Sequence, residues 1–353
     1  MEIRTSVRRL VEFILRCGDI DNRKISKADA MLEGGRIHRM IQGAMGPNYF
    51  AEVTLCHTIN TPLYDIVIDG RADGIIFEAM SDISAIPLLG VSGDKLEELG
   101  PITVTIDEIK GTYRDIRKMK KEDPLHLAQA KCYAYIYALQ NNLDHIRVRI
   151  TYCHIESEEI RYFHFDYTFR ELSDWFEELM KEYRKWTDFE YEWGRKRQAS
   201  IKQTEFPFEY REGQKDLITY VYQTIYHRKK LFIEAPTGVG KTISTVFPAV
   251  KAMGENLTSK VFYLTAKTIT RTVAEQALAE LRKQELSFKS VTLTAKDKIC
   301  FQDEAECNPA NCQFAAGHYD RVNEALYDIL TNVDNLSREE ILKYSLKYQV
   351  CPF

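Results

Sequence analysis

Two kinds of hydrophobic pattern are mixed in the first half of the chain. Apolar residues at helical spacing predict helices, and runs that alternate apolar with polar or β-branched residues predict strands. The predicted helices are 6–17, 31–45, 125–139 and 173–186. The predicted strands are 51–59, 64–77, 102–110, 146–155 and 160–165. This mixture indicates an α/β domain over residues 1–192.

After residue 192 the pattern changes. Residues 193–205 lose apolar periodicity and gain charge, which predicts a linker. From residue 206 onward helices and strands alternate, as they do around a parallel α/β sheet. The predicted helices are 213–227, 241–253 and 267–283, and the predicted strands are 231–235, 260–265 and 289–293. We therefore predict a second α/β domain over residues 206–293, followed by a cysteine-rich insertion at 294–353.

Composition narrows the possibilities only slightly. The 353 residues allow about two domains. Because the net charge is −4, any binding to nucleic acid must come from local basic patches. Residues 114–121 and 195–197 are the candidates for such patches. Each of these patches is equally well explained as a solvated charged surface. No apolar run is long enough to cross a membrane and the N-terminal pattern predicts a packed helix, so we expect a cytoplasmic protein.

A nucleotide site is indicated where an apolar run enters a glycine-containing loop. Gly238 and Gly240 allow positive φ and a close backbone approach, so that successive N–H groups can face a polyphosphate. Lys241 would reach the phosphates of ATP, and Thr242 would bind the accompanying Mg²⁺. A chance match is the alternative, but a predicted strand before the loop and a helix after it supply the required context. The predicted nucleotide-binding residues of the loop are Ala235, Pro236, Thr237, Gly238, Val239, Gly240, Lys241 and Thr242.

The first domain carries carboxylates spaced around a lysine. Glu108 and Lys110 are two apart on a predicted strand, so both side chains emerge on one face. Asp73, from a neighbouring strand, would complete with Glu108 an oxygen-rich site for Mg²⁺ or Mn²⁺ that activates water against a phosphodiester. A surface ion pair between Glu108 and Lys110 is the alternative. The predicted catalytic residues are His38, Asp73, Glu108, Lys110, Gln129 and Tyr133.

The order of these residues resembles the PD-(D/E)xK nucleases of the RecB type, including the CRISPR-associated single-strand exonucleases. The resemblance implies a mixed sheet flanked by helices. Lys110 would orient or deprotonate the attacking water, and Gln129 and Tyr133 would steady the lysine and the phosphate. The CRISPR-associated members carry iron–sulfur cysteines around the nuclease core. Nothing in this sequence matches that arrangement, so we expect no cluster in the first domain.

Four of the eight cysteines crowd into the last part of the sequence. They are Cys300, Cys307, Cys312 and Cys351, with the spacing C-x6-C-x4-C-x38-C. This spacing matches neither the ferredoxin motifs nor the paired C-x2-C knuckles of structural zinc sites. Four thiolates could hold zinc or a [4Fe–4S] cluster, and four ordinary core thiols are a third possibility. Spacing alone leaves the three open.

Together, the phosphate loop and the cysteines behind it resemble the XPD/DinG family of superfamily 2 DNA helicases over residues 206–353. The resemblance implies a [4Fe–4S] cluster on the four cysteines, adenine recognition by Arg211 and Gln214, and 5′→3′ movement on single-stranded or forked DNA. Family members with an N-terminal RecB-type nuclease are known in bacteria, which would account for both halves.

The family also needs an acidic box and arginines from a second motor domain, neither of which this sequence contains. We therefore expect an incomplete RecA-like motor, the N-terminal part of a longer helicase, that binds ATP but hydrolyses it negligibly. The competing hypothesis is a nucleic-acid-binding module with an inactive nuclease and a structural or redox-sensing metal centre.

Overall fold

The computed structural model describes residues 1–23, 30–79, 102–236, 238–265 and 268–353. These residues divide into two compact units, each of which is described by itself. The first unit comprises Met1–Thr187, Cys300–Ala325 and Ser345–Cys351. The second comprises Asp188–Ile299, Leu326–Tyr344 and Pro352–Phe353.

A mixed sheet lies at the centre of the first unit. Its strands are β1 (Glu2–Ser6), β2 (Tyr49–Asn60), β3 (Asp65–Ala79), β4 (Ile102–Thr112), β5 (His145–His154) and β6 (Ile160–Thr168). The order is β1–β3–β4–β5–β6, and β2 also pairs with β3. β1 is parallel to β3 and β4 is parallel to β5, whereas the other neighbours are antiparallel. The five strands predicted from the sequence are confirmed, and β1 is an addition.

Helices of the first unit lie against this sheet. They are α1 (Val7–Leu15), α2 (Ala30–Ala44), α3 (Pro124–Asn141) and the first part of α4 (Phe169–Gln203), with a 3₁₀ turn at Ile116–Lys118. α3 is the crossover that a parallel β4–β5 pair requires, and half of its residues are buried. Asp123 caps its start by accepting the N–H of Leu125, and Pro124 occupies its first turn.

Apolar packing fixes α2 on the sheet. Ile37 and Ile41 of α2 are fully buried against Ile109 of β4 and Cys153 of β5. Truncating one of these isoleucines to alanine would cost about 2–5 kcal/mol. This contact sets the position of His38, the residue that follows Ile37.

The predicted linker at 193–205 is wrong as a break in regular structure, because α4 continues to Gln203. Ile201 explains the difference. It is fully buried in the second unit's core, packed with Phe247 and Met253, and this contact holds the last turns of the helix in place. The predicted domain boundary at 192 also differs from the units described above, since the first ends at Thr187 and takes in cysteine-bearing segments.

The second unit contains the three predicted helices, and its parallel pairing in the described residues is limited to one short pair of strands. The helices after α4 are α5 (Gln214–Tyr226), α6 (Lys241–Gly254), α7 (Thr268–Arg282), α8 (Lys296–Ile299), α9 (His318–Asn332) and α10 (Arg338–Tyr348). The predicted strands 231–235 and 260–265 carry no strand pairing in the described residues, and 289–293 contributes only β7 (Ser290–Val291), parallel to β8 (Asn335–Leu336).

The unpaired segments 231–235 and 260–265 are exposed, which explains why they do not form the predicted strands. Parallel strands depend on hydrogen-bonded neighbours and on helices covering both faces. Phe232 is instead 93% exposed and Leu264 is 88% exposed. In the described part of this unit, parallel pairing is therefore limited to β7 and β8, and the larger parallel sheet stays a prediction.

None of the helices in the described ranges combines the length and the apolar character that crossing a lipid bilayer requires.

Candidate functional sites

The sheet of the first unit has an opening in the middle of β3. One edge of β3 pairs with β2, and the other edge is shared by β1 over Asp65–Asp69 and by β4 over Gly74–Ala79. Between them, residues 70–73 have no strand partner on that edge within the described chain. Two strands diverging from one edge leave a cleft in which side chains can meet a ligand. Asp73 lies in this cleft.

Asp73 and Glu108 face each other across the end of the β3–β4 ladder. The last pair is Gly74 with Asp107, so the register places Asp73 opposite Glu108. The carboxylate of Asp73 accepts the backbone N–H of Ile109 at 2.7 Å. This bond ties the side chain to β4 and leaves lone pairs on both oxygens for a metal ion.

Glu108 is the most deeply buried charged group of the site. Its side chain is fully buried, and Lys110 Nζ lies 2.6 Å from its Oε1. The ion pair is not aligned as a hydrogen bond, and neither carboxylate oxygen has a hydrogen-bond partner among the described residues. Burial raises the pKa of Glu108, and Lys110 offsets this only in part. A buried carboxylate whose one nearby donor group in the described chain is the Lys110 ammonium keeps lone pairs for a divalent cation, so the residues present fit Mg²⁺ or Mn²⁺.

Lys110 is held from the other side by α3. Its Nζ donates to Gln129 Oε1 at 3.5 Å, and Gln129 in turn hydrogen-bonds with Tyr133 one turn further along. Burial raises the pKa of Tyr133, with the negative charge of Glu108 as the next cause, so its hydroxyl stays protonated. A Cβ at Gly70 would lie 2.7 Å from that hydroxyl. Glycine at this position therefore lets Tyr133 approach the cleft.

His38 reaches the same cleft from α2. Its Nδ1 lies 3.4 Å from Asp73 Oδ1. Burial acts to lower the pKa of His38, but the hydrogen bond and charge of Asp73 outweigh it and the net pKa is raised. The structure thus brings all six predicted residues to one place: His38, Asp73, Glu108, Lys110, Gln129 and Tyr133.

Glu52 of β2 belongs to this place as well, and the sequence analysis missed it. One ligand atom each from His38, Glu52 and Asp73 lie within 4.8 Å of one another. Local sequence gives no signal for Glu52, because its proximity depends on the register between β2 and β3.

A buried network of hydrogen bonds around Asp107 stabilises β4 on the face opposite Glu108, and the sequence pattern gave no prediction of it. Asp107 is fully buried, and Arg149 of β5 donates to both of its oxygens, at 2.9 and 2.8 Å. Thr151 Oγ1 donates to it at 2.5 Å and Tyr49 Oη at 3.2 Å. Removing one member of a buried pair of this kind costs about 3–5 kcal/mol. The network fixes β4 at the residue before Glu108.

In the second unit, the glycine-containing loop leads directly into α6. Gly238 and Gly240 have φ of 89° and 73°, in the left-handed region that favours glycine. Lys241 begins the helix, and its Nζ donates to the carbonyls of Ala235 at 2.7 Å and Pro236 at 2.8 Å. Thr237 lies outside the described residues. Tyr263 Oη donates to Thr242 Oγ1 at 3.4 Å.

Arg211 and Gln214 both contact this loop. Gln214 is buried and its Nε2 donates to Val239 O and to Ser244 Oγ, each at 3.1 Å. The guanidinium of Arg211 donates to Gly238 O. The polar atoms of Gln214 are thus engaged by the protein, whereas the resemblance assigns this residue to adenine. The arrangement supports the loop, and adenine recognition stays a prediction.

All eight cysteines lie in described segments and none forms a disulfide. Cys300, Cys307, Cys312 and Cys351 are half-buried and belong to the first unit. Cys300 Sγ accepts the N–H of Gln302 at 3.5 Å. The N–H of Cys351 donates to His318 Nδ1 at 3.1 Å. Burial lowers the pKa of His318, which keeps the ring neutral and able to accept.

The segment after α1 attaches the cysteine region to the first unit. Ile20 N–H donates to Ala315 O at 3.0 Å, and Asn22 N–H donates to Cys307 O at 2.8 Å. Tyr319 N–H donates to Gly18 O at 2.9 Å, and Arg16 lies over the ring of Tyr319. The four cysteines therefore lie in the same unit as the mixed sheet, whereas the sequence pattern predicted a separate insertion at 294–353 that follows the second domain.

The four thiols do not form one compact site in the described chain. The residues there that bring three candidate ligand atoms within 4.8 Å of one another are His38, Glu52 and Asp73. Zinc at about 2.3 Å from each thiolate would require such a compact set. A [4Fe–4S] cluster binds each thiolate to a different iron and spreads the sulfurs further apart.

Comparison with known proteins identifies one part of the chain. Residues 212–339 match the family described as DEAD/DEAH box helicase. A DEAD/DEAH box helicase domain therefore occupies these residues. It contains the loop from Gly238 to Thr242 together with Cys300, Cys307 and Cys312, and it indicates nucleic-acid-dependent ATP binding of the helicase type.

Curated proteins give no significant match. Among solved structures, one titled "Crystal structure of SSO0001" is 16% identical, covers 51% of this chain and 76% of its own, and has a TM-score of 0.29.

Proposed function

We propose that this chain is a DNA-processing enzyme that joins a metal-dependent nuclease acting on single-stranded DNA to the ATP-binding part of a 5′→3′ helicase of the XPD/DinG kind. The observation that carries the nuclease half is the meeting of Asp73, Glu108 and Lys110 at the cleft of the sheet, where the two carboxylates face each other across β3 and β4. The DEAD/DEAH match supports the helicase half.

In the proposed reaction, Asp73 and Glu108 would hold Mg²⁺ or Mn²⁺, and the ion would supply a lowered pKa for a bound water and stabilisation of charge on the phosphate. Lys110, whose ammonium lies 2.6 Å from Glu108, would donate to the attacking water or to the phosphate. Gln129 fixes the direction of the lysine. Tyr133 stays protonated and donates a hydrogen bond at the mouth of the cleft.

Cleavage of single-stranded DNA with Mn²⁺ tests the nuclease half. We expect the chain to cut, and Glu108→Gln to lose this activity because it removes a ligand charge while keeping the size of the side chain. Glu78→Gln is the matched control, since Glu78 lies on β3 but is exposed and pairs with Arg147. An unmodified chain that binds single-stranded DNA without cutting it would support the binding-module hypothesis instead.

The cysteine centre is proposed to be a [4Fe–4S] cluster on Cys300, Cys307, Cys312 and Cys351. We expect a brown protein that contains iron and absorbs broadly in the visible range. Cys312→Ser should reduce both iron content and colour. Cys132→Ser should change neither, because Cys132 is buried within α3. A colourless protein that contains zinc would contradict the assignment.

A further inference from the structure

Asp73 lies at a break in the strand pairing of β3. Strand β2 pairs with the residues on either side of Asp73, but Asp73 itself and Glu52 do not pair. On the other edge of β3, pairing with β4 begins only at the next residue, Gly74. Strand pairing supplies the hydrogen bonds that fix a backbone within a sheet. In the described chain, other contacts must therefore hold the backbone of this proposed metal ligand.

Two side chains bind the backbone carbonyl of Asp73 at this break. Gln42 of α2 donates to it from Nε2 at 2.9 Å, and Tyr49, the first residue of β2, donates from its hydroxyl at 3.4 Å. The Nε2 of Gln42 also donates to Glu52 Oε1 at 3.0 Å. The carbonyl is thus held by a helix on one side and by a strand on the other.

The hydroxyl of Tyr49 also reaches the strand that carries Glu108. It lies 3.2 Å from Oδ2 of Asp107, the residue before Glu108, so its one hydrogen is shared between this carboxylate and the carbonyl of Asp73. Burial and the negative charge of Asp107 raise the pKa of Tyr49, so the hydroxyl stays protonated and able to donate. One hydroxyl therefore links the backbone of Asp73 to the residue next to Glu108.

Gly74 makes room for this contact. A Cβ at Gly74 would overlap the hydroxyl and the ring of Tyr49. The ring therefore lies against the backbone of the residue that follows Asp73, at the point where β3 begins to pair with β4. The absence of a side chain at Gly74 is what allows the hydroxyl to sit between the two strands.

We propose that Gln42 and Tyr49 are positioning residues of the metal site, which hold the backbone of Asp73 where strand pairing is missing and, through Asp107, fix its spacing from Glu108. Neither side chain would touch the metal ion or the DNA. The proposal rests on the proposed nuclease function, and it gives a role in that function to two side chains outside the six residues predicted from the sequence.

Tyr49→Phe tests the proposal because it removes the hydroxyl and keeps the ring. Groups that orient metal ligands contribute about 10–100-fold to metal affinity or activity. We expect the Mn²⁺ affinity of the full chain, measured from the electron paramagnetic resonance signal of free Mn²⁺, to fall by roughly this factor. The kcat for cleavage of single-stranded DNA should fall as well, and the KM for DNA should not change.

Tyr64→Phe is the matched control. Tyr64 is buried just before the start of β3, and its hydroxyl is hydrogen-bonded to Thr187 Oγ1 at 2.9 Å, a contact that includes no residue of the cleft. This variant should lose stability in urea unfolding as Tyr49→Phe does, but its Mn²⁺ affinity and kcat should equal those of the unmodified chain. A purely structural role for Tyr49 would make the two variants alike.

Gln42→Met tests the second donor, and it decides the question if Tyr49→Phe does not fold. It should also lower the Mn²⁺ affinity and kcat, because the carbonyl of Asp73 loses its shorter hydrogen bond. Unchanged Mn²⁺ affinity and kcat in either folded variant would overturn the role of that residue and leave the nuclease intact. An unmodified chain that neither binds Mn²⁺ nor cuts would overturn the proposed function itself.

Discussion

The cleft of the first unit and the glycine-containing loop of the second unit are assembled in different ways. In the first unit, Asp73 and Glu108 lie on paired strands, and the Asp73 carboxylate is bonded to the backbone of the neighbouring strand. In the second unit, Lys241 Nζ donates to two carbonyls of its own loop, those of Ala235 and Pro236, and the apolar segment before that loop is exposed and unpaired within the described residues.

This difference separates sites that depend on long-range packing from sites that depend on local sequence. The cleft requires strand register, the α2 core contact and the network around Asp107, so its side chains are positioned before any ligand arrives. The loop depends mainly on its glycines and the start of α6, with hydrogen bonds from Arg211 and Gln214 as its support from outside. Its lysine must give up two hydrogen bonds before it can reach a phosphate.

The largest expected effect comes from removing the ammonium group of Lys110 from the cleft. Lys110→Met keeps the length of the side chain but loses the charge beside Glu108. We expect the rate of single-stranded DNA cleavage in Mn²⁺ to fall roughly 10²–10⁴-fold, the usual range for losing a positioned proton-transfer group. Lys185→Met is the control, because Lys185 is an exposed lysine paired with Glu182 on α4. Equal rates for the two variants would show that the Lys110 charge has no part in the reaction.

A smaller effect is expected at the loop. Lys241→Ala removes a charged donor to the phosphates, and hydrogen bonds to charged groups contribute about 1.5–3 kcal/mol, or roughly 10–100-fold in affinity. ATP binding measured by isothermal titration calorimetry should weaken by this factor. DNA cleavage by the same variant should not change, since the loop contributes no residue to the cleft. A parallel loss of cleavage would contradict the separation of the two sites.

The smallest effects compare two glycines. A Cβ at Gly74 would overlap the ring and hydroxyl of Tyr49, part of the network around Asp107, so Gly74→Ala should destabilise the chain by about 1–3 kcal/mol. A Cβ at Gly43, in α2, meets nothing within 4 Å. Gly43→Ala should therefore be stabilising by up to ~1 kcal/mol, as alanine is in a helix. Urea unfolding of both variants measures the difference, and destabilisation by Gly43→Ala would contradict the structure of α2.

Sequence patterns predicted the first unit well, because its strands obey the alternation that a sheet with helices on its faces imposes. The predicted strand 102–110 corresponds to β4 at Ile102–Thr112, and the predicted helix 125–139 corresponds to α3. β1 was not predicted, since it has only five residues and two of them, Glu2 and Arg4, are charged. Its place follows from parallel pairing with β3, which no local pattern encodes.

The second unit shows where pattern reasoning fails. Apolar runs such as Leu231–Ile233 have the composition of buried strands, but composition cannot supply the neighbours that pairing needs. Charged residues before Ile201 suggested a linker, although the helix continues to Gln203 and Ile201 is buried in the second unit's core. Glu52 was missed for a related reason, because only the register of β2 on β3 brings it to Asp73.

The most direct test of a preassembled nuclease cleft is cleavage of single-stranded DNA by the unmodified chain in Mn²⁺ without ATP. We predict cutting at the same rate with and without ATP, because every residue of the proposed cleft lies in the first unit and the loop lies in the second. No cleavage in Mn²⁺ under either condition, by a protein that is folded and binds the metal, would contradict the account.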